Sequence, residues 1–253
     1  MKTNNNRQDS FKLQPFDLGA NRMAPGIYLF KVWAPRCQKV RLKLFRPEGD
    51  IVLDMDSGED GYFSRQVSMV SEGMRYCYIL DNGCERPDPA ARSMPVSPHG
   101  PSEVVDPDSF AWTDRRWKGI HLPGQIFYEV HIGTFTAEGT FEAAIRRIPY
   151  LGKLGITCVE VMPVARFPGN RNWGYDGTGL YAVHPGYGGP QGLKEFVNAC
   201  HQSGIAVCLD AVYNHLGPEG NYLREFGPYF TGRYQVPWGE AVNFDGWDCG
   251  PVR

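Results

Sequence analysis

No apolar run approaches the roughly 18 residues that would suggest a membrane span, so none is expected. The opening MKTNNNRQDS lacks the apolar core of an export signal, which points to a cytoplasmic protein. No basic tract suggests nucleic acid and no acidic tail suggests a docking arm: 26 Lys and Arg mix with 28 Asp and Glu for a net charge of -2. There is no CxxC pair. The seven cysteines (37, 77, 84, 158, 200, 208, 249) fall at irregular intervals, as reduced thiols do, rather than as a disulfide frame or zinc site. Cys158 and Cys208 lie inside apolar runs, where each is expected to act as a small hydrophobe. Nothing assembles convergent metal ligands, and no cofactor is expected.

What is present can fill a core. The chain has 253 residues, 42% apolar and 13% aromatic, enough for one large domain or two ordinary ones. Its character changes near residue 110. Before that point apolar residues alternate over short spans: Val40, Leu42 and Leu44 point one way from KVRLKLF, with Lys39, Arg41 and Lys43 on the other face. Similar half-buried strands are expected at Ile27–Ala34, Ile51–Leu53, Tyr62–Val67 and Tyr76–Leu80, which together suggest a small β-sandwich. Pro87, Pro89, Pro95, Pro98, Pro101 and Pro107 then crowd residues 85–108, which reads as an extended connector without strands.

From residue 126 the period lengthens. Phe127–Ile132 reads as a strand. Phe141, Ala144, Ile145, Ile148, Leu151 and Leu154 mark a helical face, with Thr140 as N-cap, Gly155 past the end, and Pro149 kinking or dividing it. Thr157–Met162 is a second strand, Leu193–Cys200 a helix ended by Gly204, and Ile205–Leu209 a third strand, apolar throughout and so expected to be buried on both faces. Strand and helix in alternation imply parallel strands joined by crossovers. Residues 216–253 show no apolar run for a fourth buried strand and read as loop. The expected layout is a polar extension at 1–20, a β-sandwich at 21–108, a linker at 109–125, and about three βα units of a TIM (β/α)8 barrel at 126–253.

Two constellations stand where barrel enzymes bind substrates, after strand ends. The loop ARFPGNRNWGYDGTGLYAVHPGYGGP sets Trp173, Tyr175, Tyr181 and Tyr187 among Arg171, Asn172 and Asp176. Flat aromatics beside amides and carboxylates complement the apolar faces and polar rims of sugars. The competing reading is a loop pinned by its own aromatics. Asp210, Asn214 and His215 follow the third strand. Asp210 and His215 either line a pocket together, or are a chain-turning carboxylate and a buried, partnered imidazole. Glu129 and Glu160 lie within strands, where an unpaired carboxylate is costly, so structural pairing is expected for both. His131 and His184 read as isolated core or surface histidines.

DAVYNH at 210–215 resembles the first signature of the α-amylase superfamily (glycoside hydrolase family 13). YEVHIGTFT at 128–136, VEVMPVARFPGNRNWGYDG at 159–177, VYNHLGPEGNYL at 212–223, FGPYFTGRY and NFDG narrow the resemblance to its maltooligosyltrehalose trehalohydrolase family, and YLFKVWAP at 28–35 to the Ig-like, carbohydrate-binding-module-like sandwich such enzymes carry. The resemblance implies a retaining hydrolase that releases trehalose by cleaving the α-1,4 bond beside a terminal trehalose unit of an α-glucan. It implies that Tyr175 stacks under the sugar being cleaved, that His215 bonds that sugar's hydroxyl, and that Asp210 braces an arginine from the next strand. Asn214 supports them, with Asp176 and Trp173 behind. The family's nucleophile, general acid and third carboxylate belong to later strands. Glu219, Glu225, Glu240, Asp245 and Asp248 follow no buried strand and receive no catalytic role. The expectation is therefore the amino-terminal part of such an enzyme, inactive alone and completed by the missing carboxy-terminal part of the barrel. Other readings are a branching or debranching enzyme, or a non-catalytic carbohydrate-binding protein.

Overall fold

The computed structural model describes residues 17–253. Most of the proposed polar extension thus lies outside the described residues. Its last two residues open a strand that sequence reading did not anticipate, β1 (Gly19–Ala24), paired antiparallel with β2 (Ile27–Trp33). β3 (Arg41–Phe45), β4 (Ile51–Asp54), β5 (Asp56–Ser57), β6 (Tyr62–Ser68) and β7 (Arg75–Ile79) follow. One sheet runs β1-β2-β6-β5 and the other β4-β3-β7. Alternation builds the sandwich: Tyr28, Phe30, Val32, Leu42, Leu44, Tyr76 and Tyr78 are buried between the sheets.

The proline-rich stretch is not strandless. β8 (Glu85–Arg86) and β9 (Ser102–Glu103) each add two residues to β7. Proline prevents a long ladder but leaves such short pairings possible. Between them Asp88 is buried, accepting hydrogen bonds from the Tyr76 hydroxyl (2.7 Å), the Tyr78 hydroxyl (3.3 Å) and the Ala90 amide (2.8 Å).

β10 (Phe127–Val130) and β11 (Cys158–Val161) are parallel, Phe127 opposite Cys158. Between them lie α1 (Ile132–Phe135), α2 (Phe141–Ile145) and α3 (Ile148–Lys153). The expected single helix is thus divided. Thr140 caps α2, its hydroxyl accepting from the Ala143 amide at 3.2 Å, and Pro149 sits in the first turn of α3, where its missing N–H has no partner to lose. A β-hairpin, β12 (Ala165–Arg166) and β13 (Gly179–Val183), then α4 (Gly189–Gln202), lead to β14 (Ala206–Leu209), which pairs parallel with β11. The sheet order is β10-β11-β14. Val130, Val159 and Val161 pack against Phe141, Ile148, Leu151 and Phe196.

β14 departs from expectation. Ala206 is buried, but Cys208 and Leu209 are exposed, so Cys208 is not a buried hydrophobe as Cys158 is. β14, like β10, is an edge strand of the three, and among the described residues no strand pairs with its free edge. Residues 216–253 are not simply loop: they form α5 (Leu223–Phe226) and a hairpin of β15 (Phe230–Val236) and β16 (Gly239–Val242). No helix among the described residues is long and apolar enough to cross a membrane.

Candidate active site

The candidate residues come from loops that follow β10, β11 and β14 at one end of the parallel sheet. β14 delivers Asp210, whose amide donates to the Val161 carbonyl at 2.9 Å. The β12–β13 loop brings Tyr175 to it: the phenol donates to Asp210 Oδ2 at 3.1 Å. His215 closes the group, its Nε2 2.9 Å from the Tyr175 carbonyl. Because a carbonyl only accepts, Nε2 carries the proton there. The other nitrogen, Nδ1, is buried and makes no hydrogen bond.

Close backbone approach permits this. A side chain at Gly217 would place Cβ 2.2 Å from the Asp176 carbonyl oxygen, and Gly217 instead donates its amide to the Gly177 carbonyl at 3.0 Å. Gly174, at φ +102, passes equally close to Pro163. At Gly174 only glycine adopts that φ at little cost, and at both positions only glycine leaves that space.

Asn172 organises the loop. Its side-chain oxygen accepts from the Gly174 amide at 2.7 Å, and its Nδ2 donates to Asp176 at 3.1 Å. His131 at the end of β10 is not isolated: its Nε2 lies 2.7 Å from the Asn172 carbonyl and 3.1 Å from the Tyr187 hydroxyl. Trp173 meets the His131 ring edge-on at 5.1 Å and remains 63% exposed. Tyr187 is buried and pins the loop, as the structural reading expects, whereas Trp173 and Tyr175 are exposed.

His184 is likewise partnered. It stacks on Phe167 at 3.7 Å and accepts from Arg166 Nη1 at 2.9 Å. Burial, and then the Arg166 charge, push its pKa down to about 4. Arg166 was not singled out from sequence because nothing marks a buried arginine locally. Its guanidinium also donates to the carbonyls of Phe167 and Val96.

Glu129 and Glu160 do not pair with cations. They are register partners on adjacent strands, and among the described residues neither carboxylate forms a hydrogen bond or ion pair. Both remain open to solvent in part, which removes the desolvation cost that argued for pairing. The Tyr175 phenol is raised above its ordinary pKa, first by its hydrogen bond to Asp210, then by desolvation and by the charges of Asp210, Glu129 and Glu160. Asp210 meets Tyr175, and no arginine among the described residues forms a hydrogen bond or ion pair with it. Asp176 is exposed and held by Asn172. Asn214 is exposed and not drawn into the group.

One participant carries no sequence signal. Trp238, in the turn between β15 and β16, lies nearly parallel to the His215 ring at 5.3 Å and 17°. Twenty-three residues separate it from His215 (238 minus 215), so only the hairpin's path brings them together. The loops offer Trp173, Tyr175 and Trp238 together with the carboxylates of Asp176 and Asp210. Such a surface suits a polyhydroxylated ligand with apolar faces. Among the described residues no group of three His, Cys, Asp or Glu is placed to hold a metal ion.

Comparison with known proteins agrees with this architecture. Residues 104–235 match the family model "Alpha amylase, catalytic domain", and residues 17–92 match "Carbohydrate-binding module 48 (Isoamylase N-terminal domain)". The malto-oligosyltrehalose trehalohydrolase of Saccharolobus solfataricus is 48% identical over 88% of this chain, and that of Deinococcus radiodurans 44% over 85%. The chain spans 39% and 35% of their respective lengths. A crystal structure of a Salmonella typhimurium protein assigned as an α-amylase matches with TM-score 0.86 and 44% identity, over 93% of this chain and 39% of that one. A pullulanase from Anoxybacillus sp. LM18-11, complexed with maltotetraose, matches with TM-score 0.71 and 28% identity, over 90% of this chain and 40% of its own. With its module-48 sandwich, three parallel strands and the loops they carry, the chain belongs to the α-amylase family.

Proposed function

We propose that this chain supplies the amino-terminal sandwich and part of the glucan-binding wall of a maltooligosyltrehalose trehalohydrolase. The observation that carries the proposal is the convergence of Tyr175, Asp210 and His215 from separate loops at one end of the parallel sheet. Asp210 fixes the Tyr175 ring by its hydroxyl, leaving the ring face for a pyranose. His215 is buried and holds the Tyr175 backbone through Nε2, so its unbonded Nδ1 is the ring nitrogen left for a sugar hydroxyl, and Trp173, Asp176 and Asn214 extend the surface. The relatives' names support trehalose release from a maltooligosyl chain as the reaction served. Retaining cleavage needs two carboxyl groups about 5–5.5 Å apart. No carboxylate of this chain is assigned either role, so the part proposed for these residues is binding.

Binding tests this directly. Saturation-transfer NMR or calorimetry with maltooligosyltrehalose is expected to detect association with the chain. Tyr175→Ala weakens it roughly tenfold through the lost ring face. Unchanged affinity in Tyr175→Ala would remove the ring from the site. Trehalose released by the chain alone would overturn the restriction to binding. Preference for branched glucans over maltooligosyltrehalose would instead favour a branching enzyme, a class represented by a 33% identical relative from Xanthomonas euvesicatoria.

A further inference from the structure

The β15–β16 hairpin buries no residue of its own. An isolated two-stranded hairpin is marginally stable in water, so its order must come from its ends. Its tip is Trp238, lying over His215. Its base is gripped by the sandwich.

That grip is detailed. Phe226, at the end of α5, is fully buried in the sandwich core and meets Tyr78 edge-on at 6.5 Å. Its carbonyl accepts from the Arg36 amide at 3.1 Å. Arg86 Nε stands 2.9 Å from both carboxylate oxygens of Glu225, with its guanidinium 4.3 Å over the Tyr222 ring. A Cβ at Gly227 would fall 3.0 Å from the Trp33 ring, so the chain runs hard against β2 before turning outward. Tyr229 then packs edge-on against Trp33 at 5.1 Å. The Asn243 amide donates to the Tyr229 carbonyl and its Nδ2 to the Pro228 carbonyl, both at 2.9 Å, closing the hairpin base on this anchored segment. Arg224, one residue before Glu225, pairs with Glu240 of β16.

We propose that the sandwich is a positioning element for the His215 site, acting through α5 on the hairpin whose tip roofs the imidazole. Glu225, Arg86 and Phe226 are positioning residues: none touches His215, and each fixes the base from which Trp238 is held over it. On this view the module's role in this chain is mechanical, beyond any glucan contact of its own. The proposal concerns how the imidazole is covered and does not depend on which ligand the site takes.

The test uses the whole chain with Glu225→Gln, which keeps the side chain's shape and removes its charge, and with the exchange Arg86→Glu plus Glu225→Arg. Amide hydrogen exchange is read across 230–242, β2–β6 and β10–β11, together with the NMR resonances of the His215 ring. Glu225→Gln is expected to speed exchange about fivefold across 230–242 and to shift the His215 ring resonances, with both other sheets unchanged. The charge exchange restores most of both. An unchanged hairpin and ring in Glu225→Gln would overturn the proposal. So would a uniform rise across all three sheets, or failure of both variants to fold, because the pair would then hold the fold rather than place the hairpin.

Discussion

The sandwich and the parallel sheet are built from the same kind of short apolar strand, yet only the sandwich has both sheets covered on their inner faces. Phe30, Leu42, Leu44 and Tyr78 are wholly inaccessible between its layers. The parallel sheet packs one face on α2, α3 and α4, while Glu129, Glu160 and Cys208 lie in register on the other. Stability is thus concentrated where faces meet. The carboxylates of Glu129 and Glu160 stand on the open face, where they keep their hydration. The largest expected effect breaks the covered side. Phe30→Ala removes a ring from a filled core and is expected to cost about 3–5 kcal/mol in urea denaturation. A cost below about 1 kcal/mol would mean the sandwich is not the stable half.

Acid sharpens the comparison, because each region holds a buried group displaced within the acid range, and the two respond with opposite sign. Burial raises the Asp88 carboxyl to about 6, against the lowering effect of its hydrogen bonds. Its contribution to stability is complete below its unfolded value of 3.8 and is lost as pH rises through about 6. His184 is depressed to about 4, so its contribution is complete above its unfolded 6.5 and is lost as pH falls toward 4. Each effect amounts to about 3 kcal/mol at most. Asp88→Asn is therefore expected to lose stability between pH 7 and 4.5 more steeply than the unaltered chain, and His184→Asn less steeply. Denaturant titrations at the two pH values check this, and parallel slopes for the two variants would show that neither group carries the dependence.

A smaller effect tests the helical layer that covers the sheet's packed face. Its elements α2 and α3 are each under two turns long, so their ends matter more than their propensities. Thr140→Ala removes the one side-chain cap of α2 and is expected to cost about 1 kcal/mol. For a chain of this size that is roughly 2–4 °C in melting temperature. No shift would mean that packing of Phe141 and Ala144 alone fixes where the helix begins.

Period-two alternation at Val40–Leu44 and the helical spacing from Phe141 to Leu151 were legible because each pattern reports a face that is covered, whereas Leu154, read onto the same helical face, is half exposed. The parallel strands β10, β11 and β14 were legible from their alternation with helical text, whereas the hairpins β12–β13 and β15–β16 were read as loop. β1, β8 and β9 were not legible. The first sits in polar text, the other two are two residues long among prolines, and their pairing depends on an edge contributed by other strands. Within the site, Tyr175, Asp210 and His215 could be proposed from their places after strand ends. Their actual contacts could not, because Tyr175 reaches Asp210 across 35 residues only where Gly174 and Gly217 let the loops close. Trp238 and the Arg166–His184 pair were illegible because nothing local distinguishes a stacking tryptophan or a buried arginine from their exposed counterparts. β14 shows the opposite failure. Its unbroken apolar text reads as buried, although burial belongs to what surrounds a strand.

That last point has the smallest expected effect and the sharpest consequence. Leu209 ends an apolar run and Leu44 stands in an alternating strand, yet it is Leu209 that is 49% exposed and Leu44 that is wholly buried. Leu209→Ser exchanges an apolar group already half in water for a polar one, and is expected to change stability by less than about 0.5 kcal/mol. Leu44→Ser would create a cavity and bury a hydroxyl, costing several-fold more. Measured side by side in urea, the pair separates residue type from environment. If Leu209→Ser instead cost as much as Leu44→Ser, β14 would have to be covered in solution, and environment would no longer separate the two leucines.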